Sequence, residues 1–255
     1  MKMLIAEFIK LKRSLSWGVV VLLPLMAVFS GAVTTFVLQG GFEDGWHTLW
    51  MRSIGFYGMA LLPVGIAILA SLVWRVEHRD GNWNALMGSS TPTGGIVLAK
   101  TVAVAALAGL MQVVLLVSVL GLGKLAFGLP GMLPPQYFAS SLLVVIACLP
   151  VAALQSGLST FFGSFAVPVA IALLGTGIST MALLVGPKVA VLLPYATATY
   201  ATQLGTILVD GAGTSFNADP INAGSVTLVA SVTVAMTALL VAGTIRLLDR
   251  TDSWA

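Results

Sequence analysis

Charge is distributed along this chain in a way that leaves few folds open. Charged side chains are missing from six long runs: Ser14–Phe42, Ser53–Trp74, Thr101–Gly123, Leu125–Pro187, Val189–Val209 and Pro220–Ile245. A bilayer core is about 30 Å thick and takes about 20 apolar helical residues to cross. A charge placed within it costs on the order of several kcal/mol. Runs this long and this clean belong in lipid. Across the 255 residues, 58% are hydrophobic and only 8% charged, with a mean hydropathy of +1.02. That balance excludes a water-soluble globular enzyme, a disordered chain and a nucleic-acid binder. The single cysteine, Cys148, leaves no internal disulfide and no CxxC site for metal or redox chemistry.

The runs divide into six predicted spans, at 17–38, 54–74, 98–122, 136–159, 166–186 and 225–246. The run from 125 to 187 holds two of them, because Ser159–Phe165 carries Gly163 and small polar residues ahead of Pro168. The run at 189–209 is uncharged too, yet it contains Pro194, several Thr, two Tyr and Gln203. It is read as a re-entrant or surface-lying hairpin within an extracellular segment, 187–224, in preference to a seventh span. The fold class is therefore an all-α integral membrane protein, a single transmembrane domain over 1–255.

Orientation follows the lysines and arginines. Six spans with an inner N terminus put Lys2, Lys10, Lys12, Arg13, Arg75, Arg79, Lys100, Arg246 and Arg250 inside, and only Arg52, Lys124 and Lys188 outside. Both termini are expected in the cytoplasm and the chain in the cell membrane. The basic start imitates a signal peptide, but its apolar stretch has the length of a full span.

Residues 1–16 form a predicted interfacial helix. Leu4, Ile5, Phe8, Leu11 and Leu15 share one face of the wheel; Lys2, Lys10 and Arg13 lie opposite, and Lys12 intrudes on the apolar edge. Such a helix suits anionic head groups. It serves either as an anchor for the first span or as an elbow that carries force from a cytoplasmic partner. Residues 75–97 form the only sizeable cytoplasmic loop. Five of its first six residues can carry charge, Gly81-Asn82 signals a turn, and Thr91-Pro92 is a stop. Asn82–Gly88 suits a short surface helix with Trp83 and Leu86 on one face. That is the shape of a knob docking into a partner's groove, or of a solvated loop with Trp83 at the interface.

The order Glu77, Asn82-Trp83, Leu86, Pro92, Ile96 and Ala99-Lys100 resembles the loop after the second span in permease subunits of ABC-2 type transporters, closest to the lantibiotic-immunity branch. The chain length, surface helix, six spans and extended outer segment resemble that family too. Thr93-Gly94 depart from it, where a basic residue often follows the proline. The resemblance implies a permease subunit of an ABC exporter moving an amphiphilic substrate, such as an antimicrobial peptide. It implies no cofactor on this chain, with ATP and Mg on a partner ATPase, and a second copy or a related permease beside it in the membrane lipid. Candidate ATPase-docking residues are Arg75, Glu77, His78, Arg79, Asp80, Trp83 and Leu86. The alternative is a non-ABC subunit that captures substrate or serves structural interaction.

The residues support no catalytic or metal site. Ser118 and Leu125 occupy the positions a P-loop around Gly123-Lys124 needs for glycine and Ser/Thr, and the GxGxxA match at Gly121–Ala126 follows a span instead of a strand. There is no HExxH, and His47 and His78 are placed in loops on opposite sides of the membrane, away from Ser156 and Ser159. No span carries a charge near its centre, which disfavours ion coupling. Gln112 and Gln155 are the embedded amides assigned to a substrate path. Small-residue pairs at Ala105/Gly109, Gly175/Ser179 and Ala238/Ala242 favour close helix packing, within the chain or, at the fifth span, across a dimer. Pro24, Pro63 and Pro168 are candidate kinks.

Overall fold

A computed structural model describes residues 2–12, 14–39, 45–78, 92–208, 216–218 and 221–252. Among the described residues, six helices are long and apolar enough to cross a bilayer: Ser16–Val37, Trp46–Arg75, Thr93–Ala126, Pro135–Phe161, Ala166–Val185 and Ala223–Arg250. An even number of crossings puts both ends of the chain at one end of the bundle.

Helix α1 (Lys2–Leu11) precedes the spans and leads into α2 (Ser16–Gln39). The junction is held by polar groups. The Trp17 indole donates to the Leu11 carbonyl at 3.0 Å, and the Ser14 hydroxyl accepts from the Ser16 amide at 3.2 Å. Ile5, Phe8 and Ile9 of α1 are exposed, whereas Glu7 and Leu11 are buried. The apolar stripe read from the wheel is thus divided. Ile5 and Phe8 face outward, as an interfacial helix requires, while Leu11 turns inward with Glu7 because α1 packs along the start of the third span.

The second span is two helices, α3 (Trp46–Phe56) and α4 (Leu62–Arg75), joined by a π-helical turn at Tyr57–Leu61. The helix starts at Trp46, before the expected 54, so Arg52 and His47 lie on α3 and not in a loop. Pro63 sits just beyond the π turn and takes the place of a simple kink there. Pro168 falls in the first turn of its helix, where a missing amide costs little. The third span is α5 (Thr93–Gly121), closed by a second π turn at Leu122–Ala126. These are the residues of the GxGxxA match, and helix, not strand, precedes them.

Helix α6 (Pro135–Phe161) is the hub: α4, α5 and the last helix, α10 (Ala223–Asp252), all pack on it. Helix α7 (Ala166–Val185) leans on α4 and leaves Leu173, Leu174, Ile178, Met181 and Leu184 exposed. On α2, an outward row of Leu22, Leu25, Met26, Phe29, Val33 and Phe36 is exposed as well. For helices in lipid, exposed apolar rows are the expected outer surface.

Between α7 and α10 no described helix is long enough to cross again. After a four-residue turn of helix, α8 (Pro187–Ala190), comes α9 (Pro194–Gln203), about 15 Å long and so about half a span. It is buried against α6 and α7, with Tyr195, Ala196, Thr197, Ala198, Thr199, Ala201 and Thr202 all covered. Its first turn reaches the middle of α7, since a Cβ on Gly175 would meet the Tyr195 ring at 2.4 Å. The segment is thus packed into the bundle beside the middle of α7. Two three-residue strands follow, β1 (Thr206–Leu208) and β2 (Phe216–Ala218), paired antiparallel with Ile207 opposite Asn217.

Candidate functional site

Four charged side chains meet where α1, α4 and α5 converge, at the bundle end that carries the termini. The Lys100 ammonium, on the second turn of α5, lies 3.0 Å from Glu7 Oε2 and 2.9 Å from Glu77 Oε1. The Lys10 ammonium lies 3.1 Å from Glu7 Oε1 and 2.6 Å from Glu77 Oε1. Signs alternate round the ring and the formal charge sums to zero. Lys100 is wholly buried, Glu77 is 4% and Glu7 8% exposed. Lys100 also donates to the Val73 carbonyl at 3.3 Å and lies 4.9 Å above the Trp74 ring. All three of its donors therefore have acceptors.

The geometry shifts two of the groups. Burial pushes the Glu77 carboxyl up, but the two lysines outweigh it and hold the group below its ordinary 4.5. Burial pulls Lys10 down, and its bonds to Glu77 and Glu7 outweigh that to raise it above 10.5.

The four members come from three stretches of chain. Glu7 and Lys10 share one face of α1, three residues apart. Glu77 follows the last turn of α4, and Lys100 sits near the start of α5. The ring therefore ties the surface helix to both ends of the segment 79–91. Behind it, the Trp74 indole donates to Ser156 Oγ at 2.8 Å, and His78 Nε2 donates to the Ser159 carbonyl at 2.8 Å. These bonds fasten the end of α4 to the end of α6.

Of the expected docking residues, Glu77 lies in the ring, His78 on α6, and Arg75 is exposed beside them. Arg79, Asp80, Trp83 and Leu86, with the short helix expected at 82–88, lie outside the described residues. His78 does come to Ser159, contrary to its expected distance from it, because the end of α4 packs beside the end of α6. The contact is to a carbonyl and not to a nucleophilic hydroxyl. Gln112 and Gln155 are both buried ties: Gln112 Nε2 donates to Ser141 Oγ at 3.0 Å, and Gln155 Nε2 to the Tyr195 hydroxyl at 2.5 Å. Among the described residues, no three His, Cys, Asp or Glu gather where they would hold a metal.

Glu7, Lys10 and Lys100 were not expected here. The available signal was slight. Glu7 is the one acid in a basic N-terminal segment, and Lys100 opens an otherwise apolar run.

The described architecture is that of a polytopic helical membrane protein whose leading surface helix is ion-paired to the ends of its second and third spans. The sequence profile described as ABC-2 family transporter protein matches residues 3–179, from α1 to the middle of α7, and the chain belongs to that family. It is thereby a membrane component of an ABC transporter, a class that implies an ATPase partner. No curated protein and no solved structure matches it.

Proposed function

We propose that this chain is the membrane-spanning permease subunit of an ATP-driven exporter, with ATP and Mg bound on a separate ATPase. The bundle end carrying the termini faces the cytoplasm, as the lysine and arginine bias favours. A second copy or a related permease completes the pathway, and an amphiphile such as an antimicrobial peptide is the substrate class that the immunity-branch resemblance favours.

The observation that carries this reading is the buried ring. A loop that takes up force from an ATPase must hand it to the spans. Here the two ends of 79–91 are joined to one another, to α1 and, through Trp74 and His78, to α6. Docking then falls to Arg79, Asp80, Trp83 and Leu86, with Trp83 and Leu86 as the apolar knob. Glu77 holds the base of the loop. Movement of the loop would tilt α4, α5 and α1 together and open the path for substrate.

The test is co-purification of the ATPase with the Trp83→Ala/Leu86→Ala double variant in mild detergent. Recovery of the ATPase is expected to fall while the variant itself still folds. Full recovery together with normal stimulation of ATP hydrolysis defeats the assignment.

A further inference from the structure

A second feature at the same end is not used by the ring. A cavity of about 300 Å³ opens between the end of α4, the end of α6 and the start of α7. Ser71, Arg75, His78, Ser159, Ser164 and the two rings of Phe162 and Phe165 line it. Among the described residues no acid lines it, and the carboxylate that follows the same helix, Glu77, is engaged by two lysines. Arg75 is exposed and makes no ion pair with a described residue, so its guanidinium is available as a fork of donors. Ser71 and Ser159 hydroxyls meet at 3.4 Å on the floor, and Ser164 adds a third. Helix α7 starts at this wall without a side chain capping it. Phe162 and Phe165 are 43% and 41% exposed.

Position narrows the ligand. The cavity lies at the ends of three helices long and apolar enough to span, where the head groups of a bilayer would stand. A guanidinium, hydroxyls and part-exposed phenyl rings lining one cavity match a phosphate ester that carries acyl chains. We propose that this cavity binds the phosphate of an anionic phospholipid, with Arg75 as the principal contact and Phe162 and Phe165 against the upper acyl chains. The proposal needs only the membrane placement of the bundle, not the exporter reading.

Native mass spectrometry of the full chain in a neutral detergent tests it. The probes are short-chain phosphatidylglycerol, short-chain phosphatidylcholine and glycerol phosphate. One phosphatidylglycerol per chain is expected, held about tenfold more tightly than phosphatidylcholine or glycerol phosphate. Arg75→Gln should weaken it about tenfold, whereas Arg246→Gln, at the same end on α10, should leave it unchanged. Equal retention by Arg75→Gln overturns the proposal, as does equal loss in Arg246→Gln. Glycerol phosphate binding as tightly as the lipid would make the ligand a soluble phosphate, and the lipid assignment fails. If Arg75→Gln loses the ATPase yet keeps the lipid, the cavity belongs to the protein partner, and the proposal fails again. Loss of the ATPase in the Trp83→Ala/Leu86→Ala variant bears on the exporter reading alone.

Discussion

Lys100 sits in surroundings that a lysine tolerates only when its charge is matched. Moving an ammonium out of water costs several kcal/mol, and here two carboxylates, a carbonyl and an indole face make up for it. Removing the lysine leaves Glu7 and Glu77 buried with half their partners. Lys100→Met is expected to destabilise the fold by about 3–5 kcal/mol. Lys10 is 37% exposed, and Lys10→Ala should cost under about 1 kcal/mol after solvent screening. Thermal unfolding in one detergent, followed by tryptophan fluorescence, ranks the two; equal losses would mean the ring is not the buried unit described. The acid limb has a definite sign. Because the folded Glu77 lies below its ordinary 4.5, its contribution is present above that value and is lost as pH falls through the lower folded one. Lys10, raised above 10.5, contributes below that value and loses its part as pH climbs through the raised one. Melting temperature should be flat between about pH 5 and 9 and drop on the acid side. Glu77→Gln should blunt that drop, and an unchanged acid limb in this variant would count against the assignment.

At the scale of elements, the second span and the short buried helix α9 explain each other. In the π turn the Leu62 amide bonds the Tyr57 carbonyl, five residues back. The next donor in that register would be Pro63, which has none, so the Gly58 carbonyl is left over. Thr199 Oγ1 of α9 donates to it at 3.0 Å. Gly58 also admits α9 at close range, since a Cβ there would stand 1.9 Å from Thr202 Oγ1. Gly58→Ala should therefore dislodge α9, at about 1–3 kcal/mol for overpacking. A cysteine at Ala198, which is fully buried, reports it: maleimide labelling in detergent should be slow in the parent and fast with Gly58→Ala. Native Cys148 is buried and adds little background. Equal labelling rates would show that α9 keeps its seat. This pairing also marks what was legible in the sequence. The six spans were, because a charge costs so much in lipid that its absence outlines each run. The depth of α9 was not. It is too short to span, and its threonines bond carbonyls nearby, Thr197 to Leu193 and Thr199 to Tyr195, so a deeply buried helix carries the composition of a polar loop. The ring was hidden for another reason, since Glu7 and Lys100 stand 93 residues apart. The Gly175/Ser179 pair is spent within the chain, Gly175 under Tyr195 and Ser179 buried, whereas Ala238 and Ala242 of α10 stay exposed.

In the whole molecule, these contacts divide the bundle into a tightly joined part and a looser rim. Helices α1, α4, α5 and α6 are linked by the ring, by Trp74 to Ser156, and by Gln112 to Ser141. Helices α7 and α10 have the least of their surface covered and face outward along most of their length. A push at 79–91 would therefore move the first set as one body against whatever partner covers the second. This has a consequence for α1. If the surface helix is part of the moving body, fixing it to α5 should cost no function. Met3 and Gly95 touch, with the Met3 Cε about 3.1 Å from where a Gly95 Cβ would stand. Cysteines at these two positions, joined by a short bismaleimide, provide the link. In the assembled transporter, stimulation of ATP hydrolysis should survive this link nearly in full, whereas Lys100→Met should lower it even where the ATPase still binds. The opposite pattern, with stimulation lost on linking and kept in Lys100→Met, would mean that α1 slides against α5 during the cycle and that the ring restrains that motion instead of transmitting it.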